Sequence, residues 1–206
     1  FWLGNTRTDG VESLQTLNKN LPNGLVKTHI NFALSQSQVP AALALLKQVA
    51  INDDNPEQRA DAYFWLAEKK IPDVENILLK AINNDESYTV KEKAIFALSQ
   101  VQSELANKFL LDLLENNEDN NIQEKALFWL AQINPIKAKE VVLQILKSAN
   151  SEDKVDNAVF ILSQISHHTN DDILFSLLTD NYSTHVKKQA LFWLSQSGNA
   201  ETIDRL

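Results

Sequence analysis

The chain has 206 residues, 44% of them hydrophobic and 22% charged, with four Gly and five Pro, the composition of an ordered, helix-rich chain and not of a disordered or fibrous one. A net charge of -8 opposes binding to phosphate backbones, so no nucleic acid is expected as partner; no membrane insertion is expected either, because the most apolar stretch, Val39 to Leu46, is broken by Pro40 and ends at Lys47, far short of the roughly 20 apolar residues of a membrane span. The absence of Cys excludes disulfides and thiolate chemistry, and the absence of Met predicts a native chain that is longer than this one.

Along the chain one short phrase returns every 32 residues: Phe32-Ala-Leu-Ser-Gln36, Phe64-Trp-Leu-Ala67, Phe96-Ala-Leu-Ser-Gln100, Phe128-Trp-Leu-Ala131, Phe160-Ile-Leu-Ser-Gln164 and Phe192-Trp-Leu-Ser-Gln196, with an earlier copy at Phe1. A fixed period of this length marks a solenoid, whose units stack because none can bury its apolar face alone. Phe1 to Gly4 read as the tail of an interrupted helix. The Phe-containing segments predict helices over 25–37, 57–68, 88–100, 121–132, 152–165 and 183–197. At 100° per residue, Val90, Ala94, Ala97 and Leu98 form one apolar stripe with Ile95 at its edge; the stripe recurs as Ile122, Ala126, Trp129, Leu130 and as Val186, Ala190, Trp193, Leu194. Gln58 and Lys154 depart from it. Between these segments a second helix keeps its own apolar offsets, as at Phe109, Leu110, Leu113, Leu114, at Val141, Val142, Ile145, Leu146 and at Ile173, Leu174, Leu177, Leu178. Each unit is therefore a helical hairpin, and residues 1–206 read as one domain of about six. Glu201 to Leu206 look like the first turns of another helix, so apolar side chains are expected exposed at one or both ends.

The turns joining the arms are polar: Asn52-Asp-Asp-Asn-Pro56, Asn83-Asn-Asp-Glu-Ser87, Asn116-Asn-Glu-Asp-Asn120 and Asp180-Asn-Tyr-Ser183. Such side chains accept from the free amides of a helix start, and Pro56 suits a first helical position. They read as caps. The spacing of a calcium loop is missing.

With these residues in view, the chain resembles the HEAT-like repeats also found in phycocyanobilin lyase subunits, in a bacterial variety. The resemblance rests on the Val-Lys/Arg-x-x-Ala-x-Phe-x-Leu pattern at Val90 to Leu98 and Val186 to Leu194 and on the hairpin length. It implies an all-α, right-handed superhelical α-solenoid with the Phe helix lining the concave wall. It also implies a basic residue second in that helix, able to pair with a turn acid; Lys27, Arg59, Lys91 and Lys187 fit, whereas Gln123 and Val155 do not. Hydroxylases of this resemblance carry repeated His-Glu pairs for a di-iron centre, and none of His29, His167, His168 and His185 is followed by Glu.

On the wheel, the repeating Phe falls nearly opposite the apolar stripe. Sideways packing between neighbouring helices is one role open to it. The other is a partner-binding strip of Phe64, Phe96, Phe128 and Phe160 bordered by Gln100, Gln132 and Gln164, extending roughly 50 Å over six units at helix spacing. Trp65 and Trp129, by contrast, sit on the stripe, with Ala33, Ala97 and Ile161 at the same place in alternate units; they are expected in the hairpin core, large against small. No Gly-rich phosphate loop or Gly-x-Ser-x-Gly elbow occurs, and no carboxylate pair stands out as acid and base. No catalytic residue, metal site or cofactor is expected. The expectation is a non-enzymatic scaffold that engages another protein or peptide, with a bilin lyase or other HEAT-type enzyme subunit as the alternative and a nucleic-acid binder behind it.

Overall fold

A computed structural model describes residues 8–21, 25–148, 151–165 and 170–196. Among them are twelve helices and no strand: α1 (Thr8–Asn20), α2 (Leu25–Gln36), α3 (Pro40–Asn52), α4 (Pro56–Glu68), α5 (Val74–Asn84), α6 (Tyr88–Gln100), α7 (Glu104–Asn116), α8 (Asn120–Ile133), α9 (Pro135–Ser148), α10 (Glu152–Gln164), α11 (Asn170–Thr179) and α12 (Thr184–Gln196). The fold is an all-α solenoid of helical hairpins. The even-numbered helices carry the Phe phrase, and each begins and ends within one residue of its expected bounds. The sequences at either end, Phe1 to Gly4 and Glu201 to Leu206, lie outside the described residues, as do His167 and His168.

Contacts divide the chain into two compact units, the first ending at Asp112 and the second beginning at Leu113. In the first, α2, α4 and α6 pack side by side, and α3 and α5 close the other side of α4 and α6. In the second, α8, α10 and α12 form the corresponding row, with α9 and α11 against it. The core lies between the two layers of each unit. Val90, Ala94, Ile95, Ala97 and Leu98 are fully enclosed there, as are Ala126, Leu130, Ala190 and Leu194. The second arms contribute Leu110, Leu113, Val142, Leu146, Leu174 and Leu177.

The polar turns act as caps. Asn55 accepts from the Glu57 amide at 3.0 Å and Asp119 from the Asn121 amide at 2.9 Å, each satisfying a donor that the first helical turn leaves unpaired. Two residues earlier in each turn a second side chain does the same for the loop: Asp53 accepts from the Asn55 amide, Asp85 from Ser87 and Asn117 from Asp119. At the other end of the hairpin, the Lys69 ammonium donates to the carbonyl oxygens of Ser35 and Ser37 at 2.6 and 2.8 Å. It thereby neutralises the negative end of α2 in the neighbouring hairpin.

Three departures from the repeat have physical explanations. Gln58 stands where Val90, Ile122 and Val186 stand, and it is buried. Its partner is Asn31, fully enclosed, whose Nδ2 donates to the Gln58 carbonyl at 3.2 Å and to the Asp61 carboxylate at 3.0 Å. A second departure is an exchange: Lys154 is exposed, and Val155 turns into the core in its place. The third concerns the basic second position. Arg59 donates twice to the Asp85 carboxylate, both at 2.9 Å, and once to the Asp53 carbonyl at 2.8 Å. Gln123 keeps only the carbonyl contact, to Asn117 at 2.8 Å, because a carboxamide reaches the preceding turn but carries no charge for the next one. The pairing of a second-position residue with the next turn's acid, seen at Arg59 and Asp85, is absent at Gln123 for that reason.

Candidate functional site: the phenylalanine face

The repeated Phe lies on the side of each even-numbered helix that turns away from the other helical layer. Phe32, Phe64, Phe96, Phe128 and Phe160 are partly buried, and Phe192 is 52% exposed. None is enclosed. Their burial is lateral, ring against ring: Phe64 and Phe96 stack nearly parallel, centroids 5.8 Å apart and planes inclined by 6°, within the range where aromatic pairs attract.

The Trp series belongs to this face, which corrects its expected place in the hairpin core. Trp65 and Trp129 are only partly buried, whereas Ala97 and Ile161 at the equivalent positions are sealed. An indole does not fit the space that holds Ala or Ile, so the ring swings out from the edge of the stripe. Trp65 then lies between Phe32 of the preceding copy, at 5.0 Å, and its own neighbour Phe64, at 5.1 Å. Trp193 repeats this between Phe160 and Phe192, at 5.2 Å from each. Alternation of large and small after Phe thus decides whether successive Phe rings are separated by an indole or, as at Ala97, meet directly.

At the end of each helix the Ser-Gln pair forms a small device of its own. Ser35, Ser99, Ser163 and Ser195 donate back to the carbonyl of the Phe three residues earlier, at 2.6 to 2.7 Å. Gln36, Gln100 and Gln164 then donate to the adjacent Ser oxygen at 3.0 to 3.2 Å. This holds each amide at the helix end while it remains exposed. Gln132, which follows Ala131, is exposed without that hydroxyl. Gln100, Gln132 and Gln164 are thus exposed at the C-terminal ends of their helices.

Lys93 was not singled out by the sequence reading. Its ammonium stands 5.3 Å from the Phe64 centroid and 5.1 Å from that of Phe96, a cation over two rings. The available signal was its place three residues before Phe96, hence on the same helical face. Asp61 holds the equivalent position in α4 and is partly buried. Burial raises its carboxyl above the usual range, opposed by the Asn31 hydrogen bond, by the indole of Trp65 and by the charges of Lys93 and His29. The Trp65 Nε1 is enclosed and close enough to Asp61 to favour its ionised form. Elsewhere, the His185 ring pairs with Asp156 and approaches Glu152 at 3.6 Å. No group of three or more His, Asp or Glu among the described residues is arranged to hold a metal ion, and no described helix is long and apolar enough to cross a membrane.

Stacked hairpins with this face find their counterpart in sequence: residues 43–131 match the family described as HEAT repeats. Over these residues the chain consists of HEAT-like repeats. The matched span runs from α3 into α8, and the 32-residue phrase itself recurs beyond it at Phe160 and Phe192. Among solved structures, the chain is similar to human deoxyhypusine hydroxylase in complex with glycerol, at 12% identity and a TM-score of 0.45, over 94% of this chain and 88% of that one. No curated protein matches it in sequence.

Proposed function

We propose that this HEAT-like protein is a non-enzymatic scaffold whose phenylalanine face binds a peptide or helix of another protein. The observation that carries the reading is the partial exposure of every described Phe in the series. A ring needed only for packing between helices would be enclosed by them; here lateral packing consumes one side of each ring and leaves an apolar surface in every copy. Contiguous apolar surface of this kind marks interaction sites. The rows of Phe32, Phe64 and Phe96 in the first unit and of Phe128, Phe160 and Phe192 in the second offer aromatic contact area, and Gln100, Gln132 and Gln164 add donors and acceptors at the border. Lys93 adds a positive charge to the first row, which favours a segment with a carboxylate beside its apolar residues.

The test is selection of binders from a displayed random-peptide library on the purified chain, followed by binding of the selected peptides to a folded Phe64→Ser/Phe96→Ser variant and to Phe128→Ser/Phe160→Ser. Enriched peptides that lose at least about tenfold in affinity for one of these variants support the reading. Peptides that bind both variants as tightly as the parent chain would leave the Phe series with a packing role alone.

A further inference from the structure

The space between the basic second position of a Phe helix and the polar turn that follows differs from copy to copy. Arg59 occupies it with a guanidinium bonded to the Asp85 carboxylate and the Asp53 carbonyl. Val155, in the second unit, leaves a hollow of about 350 Å³ whose lining holds no enclosed polar side-chain atom without a hydrogen bond. Lys27, in the first unit, leaves one of about 430 Å³, and there two buried polar side chains line it unpaired.

Lys27 is 8% exposed and Asn18, in the last turn of α1, 9%. Lys27 has no ion pair or hydrogen bond among the described residues. Asn18 donates through Nδ2 to the Asp53 carboxylate at 3.3 Å, which orients the carboxamide and leaves its Oδ1 enclosed and unpartnered. The other Asp53 oxygen accepts from the Asn55 amide at 3.0 Å. The acid that would repeat the pairing of Arg59 with Asp85 is thus engaged elsewhere. A buried ammonium and an enclosed carbonyl oxygen are both costly to leave bare, so the hollow asks for a group that accepts from the first and donates to the second.

We propose that this cavity binds a neutral polyhydroxylated molecule of monosaccharide size. A hydroxyl both accepts and donates, so one hydroxyl accepts from the Lys27 ammonium while it, or its neighbour on the ring, donates to Asn18 Oδ1. The rest of the lining has the same character: five of the eleven side chains are carboxamides, and two lysines are balanced by Asp53 and Asp54. That balance disfavours an ion of either sign. With only Leu45 and Val49 apolar, the wall offers little to a hydrophobic group. The volume lies within the roughly 300 to 1,000 Å³ of small-molecule sites. The cavity shares no residue with the phenylalanine face and is independent of its function.

The experiment is isothermal titration of the 206-residue chain with D-glucose, D-galactose and myo-inositol, beside cyclohexanol, which keeps a ring but a single hydroxyl, and inorganic phosphate, which tests for an anion. At least one of the polyols is expected to bind saturably, and cyclohexanol and phosphate at least about tenfold more weakly. Lys27→Met keeps the stem and removes the donor; it should weaken the bound polyol at least about tenfold. Lys27→Arg supplies the fork that Arg59 carries one copy on. It should bond the Asp53 carboxylate, close the hollow and raise the thermal midpoint while abolishing binding, and it decides the matter if Lys27→Met does not fold. No saturable heat from any of the polyols up to about 50 mM would leave a hollow that holds water only and overturn the assignment. Phosphate that binds more tightly than the polyols, or full polyol affinity in Lys27→Arg, would overturn it too.

Discussion

Replacement of Arg59 by Ala removes two hydrogen bonds that tie one hairpin to the next, both to the Asp85 carboxylate at 2.9 Å, together with local bonds to the Asp53 and Asp54 carbonyls at 2.8 and 3.4 Å. An exposed ion pair contributes about 0.2 to 1 kcal/mol, and a hydrogen bond to a charged group about 1.5 to 3. With the side chains of Arg59 and Asp85 only 15% and 11% exposed, solvent screens the pair partially. The expected loss is therefore about 2 to 3 kcal/mol, larger than for a surface pair because the Asp85 carboxylate is left half-buried without its counter-charge. Asp85→Ala should cost a similar amount, since it also strands the Ser87 amide at the start of α6. In a double-mutant cycle followed by urea unfolding and far-ultraviolet circular dichroism, the two changes should fall short of additivity by about 1 to 2 kcal/mol. The cycle carries its own control in pH. Burial pushes the Asp85 carboxyl up, but the hydrogen bonds from Arg59 and the Ser87 amide and the charges of Arg59 and Lys91 together bring it below the ordinary range. A carboxyl lowered by folding contributes stability that is present above its unfolded value of about 3.9 and lost as pH falls through the lower folded value. The coupling should thus vanish in strong acid. Coupling under about 0.3 kcal/mol at neutral pH, or coupling that survives acidification, would refute the reasoning.

Asp61 should show the opposite slope. Its carboxyl is raised by burial, so its contribution to stability is lost as pH rises from about 3.9 through the folded value; Asp61→Asn should flatten that part of a stability-against-pH curve, and a curve identical to that of the parent would count against the burial argument. Leu98 is fully enclosed, and Leu98→Ala should cost about 2 to 5 kcal/mol, as other leucine truncations in cores do. Phe96→Ala, at a partly exposed ring, should cost clearly less in the same urea titration; the reverse order would place the Phe row in the core and remove the basis for a binding face.

The period, the two helices per unit, the bounds of the six Phe-bearing helices and the aliphatic part of the enclosed stripe were legible in the amino-acid order. Each depends on residues within a few positions of one another: apolar recurrence at 100° per residue, and Asn, Asp, Ser and Pro where a helix start needs acceptors or can spare a donor. What stayed hidden lies between copies. Gln58 looks like a fault in the apolar stripe until the fold brings it into contact with the buried Asn31 of the preceding copy. Trp65 and Ala97 occupy the same place on the wheel, yet only the Ala enters the core, because the space available is set by the packed neighbours and not by the direction of a Cα–Cβ bond. The site shows the same division. Spacing alone put Phe and Gln on one face, but the lateral stacking of Phe64 on Phe96 and the seat of Lys93 over both rings arise from side chains roughly 30 residues apart in the chain meeting at helix-packing distance. Local periodicity specifies which side of a helix is apolar; the shape of the adjacent copy specifies how far each side chain on that side is covered.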